Sequence, residues 1–297
     1  MCDTRSSRRR FLARDAHYGI AGEWWLRECD SCASCFLEEP PSEEALASLY
    51  APDYYAYSVQ RPSRLRQALR RLLLAAHMPR EPVFDRPGRV LDFGCGAGEY
   101  LLRLRQGGWD CAGVEISDVA RARAAARGLD VRPALTGSNG FEPGAFDYVR
   151  ANHSLEHVLR PRDTLRQMYE VLKPGGTLFI GVPTATSENA RMFGAHWWHV
   201  TAPLHTFVPS TAGATLLVES VGFHITRVST NSNFAGTAGS LQIVLNRGNA
   251  RRSAKGLLFT LTPLLLVGHW YARLQDLRGV GDQLELIASK PVAETCR

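Results

Sequence analysis

From residue 89 onward, short apolar runs alternate with amphipathic stretches. Arg89–Phe93, Cys111–Ile116, Phe146–Arg150, Thr177–Val182, His224–Ser229 and Gln283–Ser289 are predicted strands: short, apolar and bounded by turn formers. Between them the pattern predicts helices. One covers Gly98–Gln106, a second is capped by Ser117 and ends at Gly128, a third covers Pro161–Leu172 and stops at Lys173-Pro174-Gly175-Gly176, and a fourth covers Ser210–Val221 and stops at Gly222. This alternation predicts the α/β class, a mostly parallel sheet with helices on both faces.

The flanks are different. Residues 1–57 show little periodicity, although Ser42 followed by Glu43 and Glu44 has the form of a helix start. Residues 62–77 place Leu65, Leu69, Leu72, Leu73 and Ala76 on one stripe opposite arginines, an amphipathic helix expected to pack on the next domain, and 79–88 has the composition of a linker. The expected organisation is an appendage at 1–57, a helix and linker at 58–87, and one domain at 88–297 with a helical insertion at about 231–281. At 297 residues, 45% hydrophobic and 22% charged, the chain is neither disordered nor fibrous. The net charge of +6 lies outside residues 91–182, where acids and bases balance. No nucleic-acid partner is expected, because such binders cluster their charge on one face.

The strongest motif is Val90-Leu91-Asp92-Phe93-Gly94-Cys95-Gly96-Ala97-Gly98-Glu99, which leaves a strand and opens a helix. Glycines there permit a tight turn and close approach of a ligand to the backbone. A dinucleotide site would place a third glycine where Glu99 stands, which disfavours a nicotinamide cofactor. Glu115, at the end of the next strand, offers a carboxylate to ribose hydroxyls.

With Phe146-Asp147-Tyr148-Val149, Ser154-Leu155-Glu156-His157-Val158 and Leu172-Lys173-Pro174-Gly175-Gly176-Thr177-Leu178, the chain resembles the class I S-adenosylmethionine-dependent methyltransferases over roughly residues 88–230 and 282–290. The resemblance implies a Rossmann-like seven-stranded sheet with S-adenosylmethionine as cofactor. It assigns Asp92, Gly94, Cys95, Gly96 and Gly98 to the cofactor loop, Glu115 and the adjoining Ile116 to the ribose end, and Asn152 and His153 to the edge along which the cofactor lies. Many members carry an acid after the third strand that holds the adenine amino group. Here Pro133-Ala134-Leu135-Thr136 has none, so adenine contacts are left to backbone or apolar groups.

The sulfonium activates its own methyl group, so the protein must align the acceptor, exclude water and, for a hydroxyl or carbon acceptor, take up a proton. Histidine suits that task near neutral pH. His157 follows the fourth strand, and His205 lies in the cluster His196-Trp197-Trp198-His199 … His205-Thr206-Phe207; both are expected at the carboxyl edge of the sheet as catalytic groups, against the alternative of structural hydrogen bonding. His196 and His199 are expected to be structural, and Trp197 and Trp198 either line a pocket or pack. The second cluster resembles that of a bacterial subgroup linked to sugar and polysaccharide pathways.

That subgroup often begins with a small zinc ribbon. Cys29-Asp30-Ser31-Cys32 has knuckle spacing and the first pair is reduced to Cys2, so Cys35 or His17 would have to be the fourth ligand; a degenerate ribbon held by packing is the alternative. Tyr54 and Tyr57 are expected lid residues over the cofactor. Near the carboxyl end, Arg247, Arg251, Arg252 and Lys255 precede the apolar run Gly256–Gly268, which is too short to span a bilayer. The expectation is a cytoplasmic enzyme, with peripheral contact to the inner membrane face through residues 247–275. The expected activity is methyl transfer to a small molecule: a sugar, glycan or lipid-linked precursor. The alternatives are a quinone or other secondary metabolite as acceptor, or a non-catalytic module that binds S-adenosylmethionine.

Overall fold

The computed structural model describes residues 6–50, 79–134, 140–246 and 262–292. The 62–77 stripe, the lid tyrosines 54 and 57, and the basic stretch 247–255 lie outside the described residues.

Seven strands form the main sheet. In chain order they are β4 (Arg89–Phe93), β5 (Asp110–Glu115), β6 (Asp130–Pro133), β7 (Phe146–Asn152), β8 (Leu172–Pro183), β10 (His224–Thr230) and β11 (Gln283–Ser289). Their spatial order is β10-β11-β8-β7-β4-β5-β6. The five strands β4 to β8 run parallel, and β11 is antiparallel to both neighbours. This is the expected Rossmann-like sheet. Alternate residues face opposite layers, as a strand's period of two dictates. Leu91, Val149, Leu178 and Leu286 pack on one face with Leu165, Met168 and Leu217. Val90, Tyr148, Phe179 and Ile287 pack on the other with Leu101 and Leu129.

The helices begin where the sequence places their caps. Ser117 Oγ accepts from the Ala120 N–H at the start of α3 (Asp118–Ala125), and Ser210 Oγ accepts from the Gly213 N–H (2.8 Å) at the start of α6 (Thr211–Glu219). Helix α2 is Glu99–Gln106, and α4 (Pro161–Val171) carries proline in its first turn. Extended backbone resumes at Leu172, and the register shift between Phe146 and Tyr148 on the facing strand absorbs Lys173–Gly176 as a bulge.

The amino-terminal segment has more order than its sequence suggested. Strands β1 (Ser7–Ala13), β2 (Trp24–Cys29) and β3 (Cys35–Leu37) form an antiparallel sheet, followed by the short helix α1 (Glu43–Ser48). The fourth strand of that sheet, β9 (Phe207–Val208), comes from the far side of the main domain. The pattern was hidden because the outer face of β1 is arginine-rich. Arg9 pairs with Glu38 (2.8 Å) and lies over the Trp25 ring, while Ala13, Leu26 and Leu37 bury the inner face against Trp197, Val200 and Val208. The stretch at 79–88 is not a bare linker either: Glu81 reaches under the sheet to Tyr100, Tyr148 and Arg150.

Between β10 and β11 lie α7 (Phe234–Leu245) and α8 (Thr262–Leu277). Ala272 and Gln275 of α8 are fully buried, while Val267, Trp270, Leu274 and Leu277 form an exposed row at helical spacing. Among the described residues, no helix is long and apolar enough to cross a membrane.

The corner where the two sheets meet generates a prediction. A Cβ on Gly213 would sit 2.0 Å from Ser34 Oγ and 3.3 Å from Cys32 Sγ. Gly→Ala inside a helix ordinarily gains up to about 1 kcal/mol. Gly213→Ala should instead lose about 1–3 kcal/mol from overpacking, measured by urea unfolding.

Candidate active site

Each cofactor-loop residue follows from the turn between β4 and α2. Gly94, Gly96 and Gly98 all have positive φ (82°, 54° and 82°), conformations that favour glycine. The Gly94 N–H donates to the Val114 carbonyl (2.7 Å), which binds the turn to the end of β5. There Glu115, 6% exposed, accepts from the Gly96 N–H through Oε2 (2.9 Å) and from the Ser117 N–H through Oε1 (2.9 Å). Burial pushes its carboxyl up, and the backbone donors at Ser117 and Gly96 oppose that shift. Each carboxylate oxygen keeps a second lone pair, which ribose hydroxyls can use.

The structure gives Asp92 a different partner from the one expected. Its Oδ1 accepts from Arg150 Nη1 (2.8 Å), and Arg150 Nε donates to Glu81 Oε1 (2.9 Å). Asp92 therefore anchors the floor of the turn. Burial raises its carboxyl, and the guanidinium beside it opposes that. The Cys95 thiol is also raised by burial, and its side chain packs toward Gly113.

Beside the turn lies a cavity of about 100 Å³. Phe93, Ile116, Ala134 and Leu159 supply apolar wall, α1 contributes Glu43 and Leu46, and His157 stands at one side. Ser154 Oγ, packed against Gly94, is buried without a hydrogen-bond partner among the described residues. A glycine turn, a buried acid with spare lone pairs, an orphaned hydroxyl and an apolar wall fit S-adenosylmethionine. The apolar wall also suits an adenine ring where the usual acid is missing.

At the end of β7, Asn152 packs on Gly181, and His153 adopts φ +53°, uncommon for a non-glycine residue, while its N–H donates to the Gly181 carbonyl (2.8 Å). A single 3₁₀ turn, Leu155–His157, follows. It is tied to the distant segment 204–206. The Thr206 N–H donates to the Glu156 carbonyl (3.0 Å), Thr206 Oγ1 to the Val158 carbonyl (2.8 Å) and His157 Nδ1 to the Leu204 carbonyl (3.0 Å). His205 Nδ1 donates to the His199 carbonyl (2.9 Å). The His157 and His205 rings meet edge to face, 4.6 Å between centroids.

A carbonyl only accepts, so each Nδ1 carries hydrogen and each Nε2 keeps its lone pair. Burial lowers both imidazoles below their usual range, His205 the further, which keeps them neutral. His199 is buried, pushed down to about 3, and stacks on His153. Trp197 is structural: its Nε1–H donates to Asp282 (2.9 Å). Trp198 packs edge-on to His17 and closely against Gly239.

The cysteines do not fit a four-ligand zinc site among the described residues. Cys32 Sγ donates to Ser34 Oγ, Cys35 Sγ accepts from Arg10 (3.0 Å), and His17 Nε2 is engaged by the Trp198 carbonyl. The Cys29–Cys32 turn instead docks the two sheets, because Ser210 Oγ donates to the Cys32 carbonyl. Ser154 and Glu156 lie inside a recognised motif and Arg150 adjoins one, but the sequence assigned them no role, and Glu81 lies outside every motif. A charged residue gives no sequence signal that it is buried.

The methyltransferase-domain family profile matches residues 57–228, more than half of the chain, and the chain belongs to that family. It has the glycine turn and sheet of a class I S-adenosylmethionine-dependent methyltransferase. Among curated proteins it is similar to a ubiquinone biosynthesis O-methyltransferase of Azoarcus sp. (strain BH72), 35% identical over 31% of this chain and 42% of that one. It is also similar to an ajmaline N-methyltransferase of Rauvolfia serpentina, 29% identical over 44% and 48%. The chain thus spans less than half the length of these relatives. In fold it resembles the methyltransferase solved with the Haloferax volcanii Trm112 activator (19% identity, 76% of this chain and 92% of that one, TM-score 0.51). Phosphoethanolamine N-methyltransferase 2 of Haemonchus contortus is comparable (20%, 86% and 62%, TM-score 0.50).

Arg150→Ala would leave Asp92 and Glu81 without their common partner, and Asp92 is almost fully buried. We expect a loss of about 3–5 kcal/mol in denaturant unfolding.

Proposed function

We propose that the chain transfers the methyl group of S-adenosylmethionine to a hydroxyl-bearing small molecule. The observation that carries this is the Glu115 carboxylate, buried at the end of β5 and bonded to the glycine turn, with its chain neighbour Ile116 lining the cavity. When bound, the cofactor supplies a methyl group activated by its sulfonium. Gly94–Gly98 give it backbone to lie against, Glu115 holds the ribose, and Ile116 and Phe93 cover the adenine. His157 and His205 face the acceptor. The division into an appendage at 1–57, a connection at 58–87 and a catalytic domain at 88–297 with an inserted 231–281 segment belongs to the same proposal.

For the acceptor, two readings share the hydroxyl chemistry. A sugar, glycan or lipid-linked precursor is supported by the tryptophan–histidine cluster before α6. A quinone precursor is supported by the similarity to the ubiquinone biosynthesis O-methyltransferase of Azoarcus. On the exposed row Val267, Trp270, Leu274 and Leu277 we propose contact with an anionic lipid surface, because the sequence just before α8 carries Arg247, Arg251, Arg252 and Lys255 with no acid among 247–255.

Calorimetric titration tests the cofactor: S-adenosylmethionine should bind, NAD should not, and Glu115→Gln should weaken binding on the order of 100-fold by weakening charge-assisted hydrogen bonds. Unchanged affinity in that variant would contradict the assignment. Flotation with phosphatidylserine vesicles tests the surface. Wild-type protein should float at low salt and Trp270→Ser substantially less; equal recovery of both, or no flotation of either, would remove the membrane proposal.

A further inference from the structure

We propose that Glu156, His157 and His205 form a site for one first-row divalent metal ion, open on the acceptor side. One ligand atom from each of the three side chains lies within 4.8 Å of the others. Ligand atoms around one ion at about 2.1 Å sit roughly 3.0–3.4 Å apart, so closing the site takes a shift of about an ångström.

Three further observations point to an ion. Glu156 is wholly buried, and its Oε2 has no hydrogen-bond partner among the described residues. An unpartnered buried carboxylate oxygen costs free energy unless a cation or donor meets it. Its other oxygen, Oε1, lies 3.2 Å from His153 Nδ1, a support of the kind that orients metal-binding carboxylates. Both imidazoles donate Nδ1–H to backbone carbonyls, of Leu204 and His199. That arrangement fixes the tautomer with Nε2 free, the usual outer-shell support of a metal-bound histidine.

The donor set selects the ion. Two imidazoles and one carboxylate suit zinc, iron, cobalt or manganese, and they leave coordination positions open. A site of all-oxygen ligands would be expected for magnesium or calcium. An acceptor oxygen can fill an open position. Coordination there would lower the hydroxyl's pKa, its proton passing to solvent water, and hold the oxygen in line with the methyl group. The acceptor role rests on the methyl-transfer reading; ion binding does not.

The test uses the full chain, stripped with chelator and titrated with cobalt(II), while S-adenosylmethionine binding is measured separately without metal. The proposal expects one equivalent of cobalt with visible d–d absorption. Glu156→Gln, which keeps the side chain's shape, and His205→Ala should each weaken cobalt binding on the order of 100-fold, with far-ultraviolet circular dichroism unchanged. Absence of the d–d band in the wild-type chain, or variants that bind cobalt as tightly as wild type, would overturn the proposal. A chain that binds S-adenosylmethionine but fails to bind cobalt would leave the methyltransferase reading standing and sink the ion site. Cobalt without S-adenosylmethionine would do the reverse.

Discussion

Glu115 receives two backbone N–H groups from two different elements, Gly96 in the glycine turn and Ser117 at the cap of α3. That carboxylate ties the glycine turn after β4 to the cap of α3, while the ladder between β4 and β5 sets the spacing of the strands themselves. The turn can come so close because Gly94, Gly96 and Gly98 all take positive φ. Below it, Arg150 bridges Asp92 on β4 and Glu81 in the preceding strip, so the floor cannot shift without exposing a buried charge. Two charge-assisted clamps thus hold the glycine turn and the strand beneath it.

A second layer positions the acceptor side. The segment carrying His205 has little regular structure of its own. It is pinned on one edge to the 155–158 turn by Thr206 and His157, and on the other to β3 through β9. The amino-terminal sheet therefore acts as a buttress. Its inner face packs on Trp197, Val200 and Val208, and its Cys32–Ser34 corner joins the start of α6. The imidazoles owe their place to contacts between residues far apart in the chain.

The main sheet was legible because a parallel α/β core writes its period into the sequence: apolar runs such as Val90–Phe93, caps such as Ser117 and Ser210, and stops such as Gly222. The glycine turn and Glu115 were legible for the same reason, since strand, turn and acid follow one another locally. The amino-terminal sheet was not. In β1, arginines stabilised by Glu28, Glu38 and Trp25 mask the alternation, and its last partner, Phe207–Val208, lies some 170 residues away in the chain. For Asp92 the motif gave a place but not its buried partner; only the register of β4 beside β7 brings Arg150 to it. Glu156 stood in a motif with no role read for it, and the 204–206 segment that packs over it is some 50 residues away in the chain.

The most direct test of the whole account is a crystal structure of the chain with S-adenosylhomocysteine. The account predicts ribose hydroxyls on the Glu115 carboxylate, the adenine against Phe93 and Ile116, and the sulfur directed toward His157 and His205. A ligand bound elsewhere, or one seated in the cavity with Glu115 still holding only Gly96 and Ser117, would contradict it.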